Sequence, residues 1–185
     1  MLSRAEAAGR LPEDGWQELR NHLRGQKLSL EAAQKAGLLI PKEKGQHYDR
    51  FRQRIIFPIV NLAGHIIGFG GRVLDAGEPK YLNSPESFIY NKRQNLYGLN
   101  SAARFIAQQN AAILVEGYFD LISLQQAGIN HAVAPLGTAL TPEQARELLQ
   151  CFWVKFNNQP APPKVGVTAA ESGTYTDFCN INTGG

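Results

Sequence analysis

ILVEGYFDLISLQQAGINHAVAPLGTALTPEQARELLQ, residues 113–150, is the stretch that decides the fold. It begins inside a short apolar run, Ala112–Val115, of buried-strand length. Glu116-Gly117 ends that run. A helical pattern then spans Phe119–Ala127 and stops at Gly128. His131–Ala134 reads as a second strand and Leu136-Gly137-Thr138 as a turn. Thr141 caps a helix over Pro142–Cys151, with proline at the first helical position and Gln144 as capping-box partner. Strand, helix, strand and helix at this spacing predict a parallel sheet with right-handed crossovers. A helix over Ala102–Gln109 leads into it.

Upstream the texture is different. Trp16, Leu19 and Leu23 lie at helical spacing, with a stop near Gly25. Ser29 can cap a second helix, Leu30–Ala36, ending at Gly37. Ile55–Val60 and His65–Phe69 read as strands joined through Asn61–Gly64, a hairpin. Pro58 suits a sheet edge or a bulge. Residues 76–99 are rich in loop formers, and a loop of that length is either functional or disordered. Residues 156–185 carry one lysine and two acids, and 17 of the 30 are Gly, Pro, Ser, Thr, Asn or Gln. Without a periodic apolar pattern, they read as linker, disorder or sequence foreign to the fold.

The expected architecture is therefore α+β. A flexible start, 1–13, precedes a small mixed subdomain of helices and an antiparallel hairpin, 14–100. An incomplete parallel α/β unit, 101–155, follows, and then an unstructured tail, 156–185.

A chain of 185 residues, 43% hydrophobic and 19% charged, can bury a real core. No apolar run approaches the roughly 18 residues of a membrane span. The start lacks the apolar stretch of a signal peptide. Two cysteines, Cys151 and Cys179, give neither a disulfide framework nor a four-thiolate zinc site, so a reducing, cytoplasmic setting is expected. The net charge of +3 says little, but residues 42–104 hold ten Lys/Arg against five Asp/Glu. Such an excess is either a solvated face or a phosphate-binding surface.

Three groups of residues could carry chemistry. Glu116 lies at the C-terminal end of a predicted strand, the edge where open parallel sheets bind ligands. Asp120 falls in the first turn of the next helix, so both carboxylates can face one crevice and offer the oxygens Mg²⁺ prefers. Gly117 lets the chain turn and a substrate approach, and Gly137 leaves space beside Glu116. As isolated features these are equally capping or solvated acids and an ordinary turn. Arg50, Arg52 and Arg54 alternate on entry to a strand, which would place them on one face or serve as edge protection. Gly70-Gly71-Arg72 and the loop with Lys80, Tyr81 and Asn83 add bases, aromatics and amides of the kind that contact nucleic acid. Trp16 and Trp153 are expected to be packing residues.

Taken together, YDRFRQRIIFPI (48–59), GHIIGFGGRVL (64–74), PKYLNSPES (79–87), LYGL (96–99), LVEGYFD (114–120) and VAPLGTALT (133–141) resemble the catalytic core of bacterial, DnaG-type DNA primase, in the family's order and spacing. The resemblance covers roughly residues 14–150. Its second part is similar to the first half of a Toprim fold, also found in topoisomerases and some nucleases. It implies synthesis of short RNA primers on single-stranded DNA from ribonucleoside triphosphates, with Mg²⁺ or Mn²⁺. Glu116 and Asp120 match acids of the family's metal-binding cluster. Arg50, Arg52, Arg54, Arg72 and Lys80 match basic positions that hold template or triphosphate, and Asn83 a polar position in the same segment. The family's preceding zinc ribbon has no counterpart here, so zinc is not expected. Its Asp-x-Asp strand and helicase-binding domain also have no counterpart, so a fragment or truncated product is expected, in the bacterial cytoplasm and without a membrane partner. The alternatives are a non-catalytic single-strand-binding remnant or another Toprim enzyme, a nuclease or topoisomerase.

Overall fold

The computed structural model describes residues 15–74, 77–137, 139–153, 164–168 and 175–177. The expected flexible start, 1–13, Thr138 of the Leu-Gly-Thr turn, the Trp153 side chain and most of 156–185 lie outside the described residues. The chain forms two compact units. The first comprises residues 1–59 and 66–90, and the second 60–65 and 91–185.

In the first unit, α1 (Glu18–Gly25) and α2 (Leu30–Lys35) lead into β1 (Leu39–Pro41) and β2 (His47–Asp49), an antiparallel pair in register Leu39 to Asp49. Ser29 caps α2 as expected, its Oγ accepting from the Ala32 amide at 3.1 Å. Gly37 ends the helix at φ +72°, and a Cβ there would lie 2.2 Å from Pro85 Cδ, so no other residue fits. Helix α1 is built differently. Its N-cap residue, Gln17, supplies no side-chain cap. The amides of Leu19 and Arg20, which the helix leaves without a carbonyl, instead bond to the Asp49 carboxylate at 2.7 and 3.0 Å. A buried acid on β2 thus caps a helix some thirty residues earlier.

The central sheet of this unit has the order β3-β4-β5, formed by β3 (Arg54–Val60), β4 (Ile66–Val73) and β5 (Tyr81–Asn83). The Asn61–Gly64 turn joins the first two, with the Gly64 amide bonded to Asn61 O at 2.9 Å. Strand β5 is a departure from the expected loop over 76–99. It pairs antiparallel with β4 in register Arg72 to Tyr81. Three residues carry too little alternation to announce a strand, and the partner edge, not propensity, makes it one.

In the second unit, α3 (Leu99–Gln109) precedes β6 (Ala111–Leu114), α4 (Tyr118–Gln126), β7 (Ala132–Val133) and α5 (Pro142–Trp153). Strands β6 and β7 are parallel, as the strand-helix-strand pattern predicts. The second compact unit takes up the chain again at Asn91, because Leu96 and Leu99 pack with Ala102, Ile106, Leu114, Val133 and Leu148 in its core. Strand β8 (Lys164–Thr168) pairs parallel with β6, and β9 (Tyr175–Asp177) antiparallel with β8, giving the order β7-β6-β8-β9. The irregular tail expected from 156 onward therefore contains two short strands. The open edge of β6 supplies a pairing partner that the tail's composition does not reveal. Among the described residues no helix is long and apolar enough to cross a membrane.

Candidate functional site

Each unit carries one group of candidate residues. In the first, Arg50, Arg52 and Arg54 line one cavity of about 420 Å³, together with Trp16, Glu78 and Leu82. They do not reach it by strand alternation. The strand begins only at Arg54, and Gln53 takes φ +49°, so residues 50–53 turn instead of extending. Main-chain carbonyls place each guanidinium. Arg50 Nη2 donates to Asn83 O at 3.2 Å, Arg52 Nη1 to Asp49 O, and Arg54 Nη1 to Lys80 O at 3.4 Å. Gly71 makes this possible: a Cβ there would meet Phe51 Cδ1 at 2.8 Å and Arg54 Cδ at 3.1 Å. Gly71 thus lets the strand backbone approach these two side chains closely.

The electrostatics follow. Arg54 is 8% exposed. Burial lowers its pKa, the Arg52 charge lowers it further, and Glu78 opposes the shift. Burial also lowers that of Arg50, against the influence of Tyr48. Both remain charged, because a guanidinium does not lose its proton in a protein. Neutral carbonyls anchor them without cancelling their charge. A concave, partly buried site holding three such cations focuses positive potential outward.

Trp16 overturns its expectation as a packing residue: it is 57% exposed. Its ring lies 5.8 Å from that of Tyr48, with Arg52 Cζ at 4.5 and 5.0 Å from the two centroids and Lys42 Nζ at 5.2 Å from both. Trp16, with Tyr48 and Lys42 packed around it, is a candidate that sequence reasoning missed. The available signal was the Trp16 position just before a helix that has no cap of its own. Arg72, Lys80 and Asn83 lie on or beside the paired strands β4 and β5, with Arg72 over the Tyr81 ring at 5.5 Å, and they do not line the cavity.

In the second unit, Glu116 and Asp120 are both exposed at the C-terminal end of β6 and in the first turn of α4. Gly117 is extended, φ −143°, so any residue could adopt its backbone. A Cβ there would lie 3.3 Å from Asp120 Oδ2, so a larger residue would shift that carboxylate by a few tenths of an ångström. Gly137 sits in the turn after β7 at φ +77°, where glycine is favoured conformationally. Beneath this edge the Tyr97 and Tyr118 rings pack edge to face at 4.5 Å, and Tyr97 bridges Ala134 by two main-chain bonds of 2.8 and 3.0 Å. Two carboxylates suit a hard cation in chemistry. Among the described residues no group of three acids, histidines or cysteines could hold a metal. The set falls short in number, and no catalytic step through a metal follows from it.

Known proteins place this arrangement. The DNA primase catalytic core N-terminal domain matches residues 7–103, the Toprim domain residues 110–157, and a pyruvate formate lyase-like domain residues 136–185. The DNA primase of Synechococcus elongatus is 50% identical over 135 residues, 72% of this chain and 20% of that protein. The DNA primase of Pseudomonas aeruginosa is 48% identical over 137 residues, 74% of this chain and 21% of that protein. The chain spans about a fifth of the length of these curated relatives. Among solved structures, the RNA polymerase domain of Mycobacterium tuberculosis primase DnaG superposes with TM-score 0.73 and 35% identity, over 82% of this chain and 48% of that one. A DnaG primase catalytic domain bound to single-stranded DNA gives 0.68 and 43%, over 77% and 46%. With more than half of its residues in the first of these matches, the chain belongs to the family of the DNA primase catalytic core N-terminal domain.

Proposed function

We propose that this chain is part of a primase catalytic core, serving DNA-templated synthesis of short RNA primers from ribonucleoside triphosphates, and that its first unit holds the single-stranded template. The arginine cavity supports this reading most: three guanidiniums on neutral carbonyls, beside an exposed indole. Single strands are held by that combination, cations following phosphates while aromatic faces stack on bases. Arg72, Lys80 and Asn83 extend the same surface toward template or triphosphate.

In the second unit, Glu116 and Asp120 supply two oxygen ligands of a Mg²⁺ or Mn²⁺ cluster, with Gly117 and Gly137 keeping the edge accessible. Such an ion would supply Lewis-acid chemistry for phosphoryl transfer, and Glu116 and Asp120 would hold it only together with further oxygen donors. A replisome setting in the bacterial cytoplasm, with the replicative helicase as the family's partner, belongs to the same reading. Residues 156–185 are of different descent from the primase core, a view that their composition and the pyruvate formate lyase-like match support.

The test has two arms. Binding of a labelled oligothymidylate is followed by anisotropy across salt concentrations, and primer synthesis is assayed on template with triphosphates and Mn²⁺. The reading expects affinity to fall with salt, with a slope of about −0.7 per phosphate contacted. Affinity indifferent to salt refutes the template surface. Salt-sensitive binding without any dinucleotide product favours the non-catalytic alternative. If product forms, Glu116→Gln should abolish it and spare DNA binding; surviving synthesis removes Glu116 from the metal.

A further inference from the structure

The capping box at the start of α5 does more than cap a helix. The Gln144 amide donates to Thr141 Oγ1 at 3.1 Å, and the Thr141 amide donates to Gln144 Oε1 at 3.1 Å. That reciprocal pair needs only the oxygen of the Gln144 side chain. Its Nε2 donates as well, to Lys92 O at 2.8 Å and to Asn95 O at 3.0 Å. Thr141 Oγ1 donates to Arg93 O. Three carbonyls of one turn are thus gripped from residues 48 to 52 positions later in the chain.

The turn is also closed from within. Asn91 Oδ1 accepts from the Arg93 amide at 2.9 Å, and Asn91 O accepts from the Gln94 amide at 3.0 Å and from Asn95 Nδ2 at 2.8 Å. Gln144 is fully buried, while Lys92 and Arg93 remain exposed. Two residues past the turn, Tyr97 bridges Ala134 at the end of β7. A buried amide therefore fixes the main chain beneath two adjacent surface cations.

We propose that Gln144 is a positioning residue, holding the Lys92–Arg93 turn so that both cations meet the phosphates of a single strand without first being ordered. The proposal rests on the single-strand reading above. Ordering a loop on binding costs affinity, and a turn held in advance avoids that cost.

Gln144→Glu is the discriminating substitution. Glutamate is the usual acceptor of a capping box and has the same length, so the bond from the Thr141 amide survives. The ionised side chain has no hydrogen to give Lys92 O or Asn95 O. Two readouts apply to the full chain: tryptic cleavage after Lys92 and Arg93, and oligothymidylate binding measured in both the native and the Lys92→Gln/Arg93→Gln backgrounds. Cleavage should rise about tenfold. Binding should weaken about fivefold in the native background and by less than about 1.5-fold in the neutralised one, the mark of coupled residues.

An equal loss in both backgrounds, or no change in either readout, overturns the proposal. Should Gln144→Glu fail to fold, the Lys92→Gln/Arg93→Gln chain decides alone: a several-fold loss of binding supports the proposal and unchanged binding overturns it. In that last case the wild-type chain still binds, so the single-strand reading stands. A wild-type chain without salt-sensitive binding overturns both.

Discussion

Asp49→Asn should release the first helix while leaving the hydrophobic cores intact. The Leu19 and Arg20 amides are two of the unpaired donors at the start of α1, and both bond to the Asp49 carboxylate, at 2.7 and 3.0 Å. Asparagine keeps one acceptor oxygen and turns an NH₂ group toward the other donor. One charge-assisted bond is lost, at about 1.5–3 kcal/mol. The favourable charge at the helix N-terminus goes with it, at about 0.3–1 kcal/mol. The combined cost is about 2–4 kcal/mol. If α1 melts with the rest of the chain, that lowers Tm by about 4–16 °C at this size. If α1 melts locally, Tm holds and the loss shows as faster amide exchange at Leu19 and Arg20. Either way Trp16, whose carbonyl accepts from the Asp49 amide at 2.9 Å, loosens from Tyr48, and oligothymidylate binding weakens. Thermal melts, amide exchange and anisotropy together read the outcome. Unchanged exchange at both amides together with an unchanged melt would show that Asp49 is not the cap.

Gly98 takes φ +81°, and a Cβ there would lie 2.6 Å from Leu121 Cδ1, so Gly98→Ala should destabilise by about 2–4 kcal/mol in a urea titration. An unaltered midpoint would deny the close packing of α3 on α4. Burial pushes the Glu147 carboxyl from 4.5 up to about 7, and its Oε2 is buried without a partner. A raised folded pKa favours the protonated acid, so this group's stability contribution is full below 4.5 and is lost as pH rises through about 7. Glu147→Gln should flatten the Tm–pH profile across that window, and a profile identical to wild type would refute the burial. Trp16→Leu should weaken oligothymidylate binding by about 1–3 kcal/mol and leave its salt slope alone, because no charge is lost. Arg52→Gln should reduce the magnitude of that slope by about 0.7. The reverse assignment of these two effects would break the division between stacking and charge.

The sequence was most legible where local chemistry alone sets the structure. The Thr141–Gln144 box, the Ser29 cap and the Asn61–Gly64 turn each depend on residues within a few positions, and each formed as expected. The parallel pairing of β6 with β7 followed from spacing and handedness. What escaped depends on distant partners. The cap of α1 comes from β2, strand β5 exists because β4 offers an edge, and β8 because β6 does. The arginines show the limit most sharply. Alternation predicts Arg50, Arg52 and Arg54 on one face of a strand, yet residues 50–53 are not extended. Their convergence comes from carbonyls at 49, 80 and 83 and from the missing side chain at Gly71. Composition reported the cations correctly and said nothing of the backbone that aims them.

The two candidate sites differ in what each needs from elsewhere, and that difference makes the function separable by experiment. Each arginine of the cavity is anchored by a carbonyl of its own unit, so the charge is in place before any ligand arrives. A phosphate then adds attraction without demanding a new partner for the protein. The carboxylates are the opposite case. Glu116 and Asp120 are exposed ions that water already solvates, and a hard cation prefers six or more oxygens to two. Affinity for single strands should therefore survive in this chain wherever its first unit folds, whereas chemistry depends on acids beyond the pair. A chain that bound metal tightly through Glu116 and Asp120 but ignored single-stranded DNA would reverse that order, and would mean that the indole and guanidinium cluster around Trp16 serves packing alone.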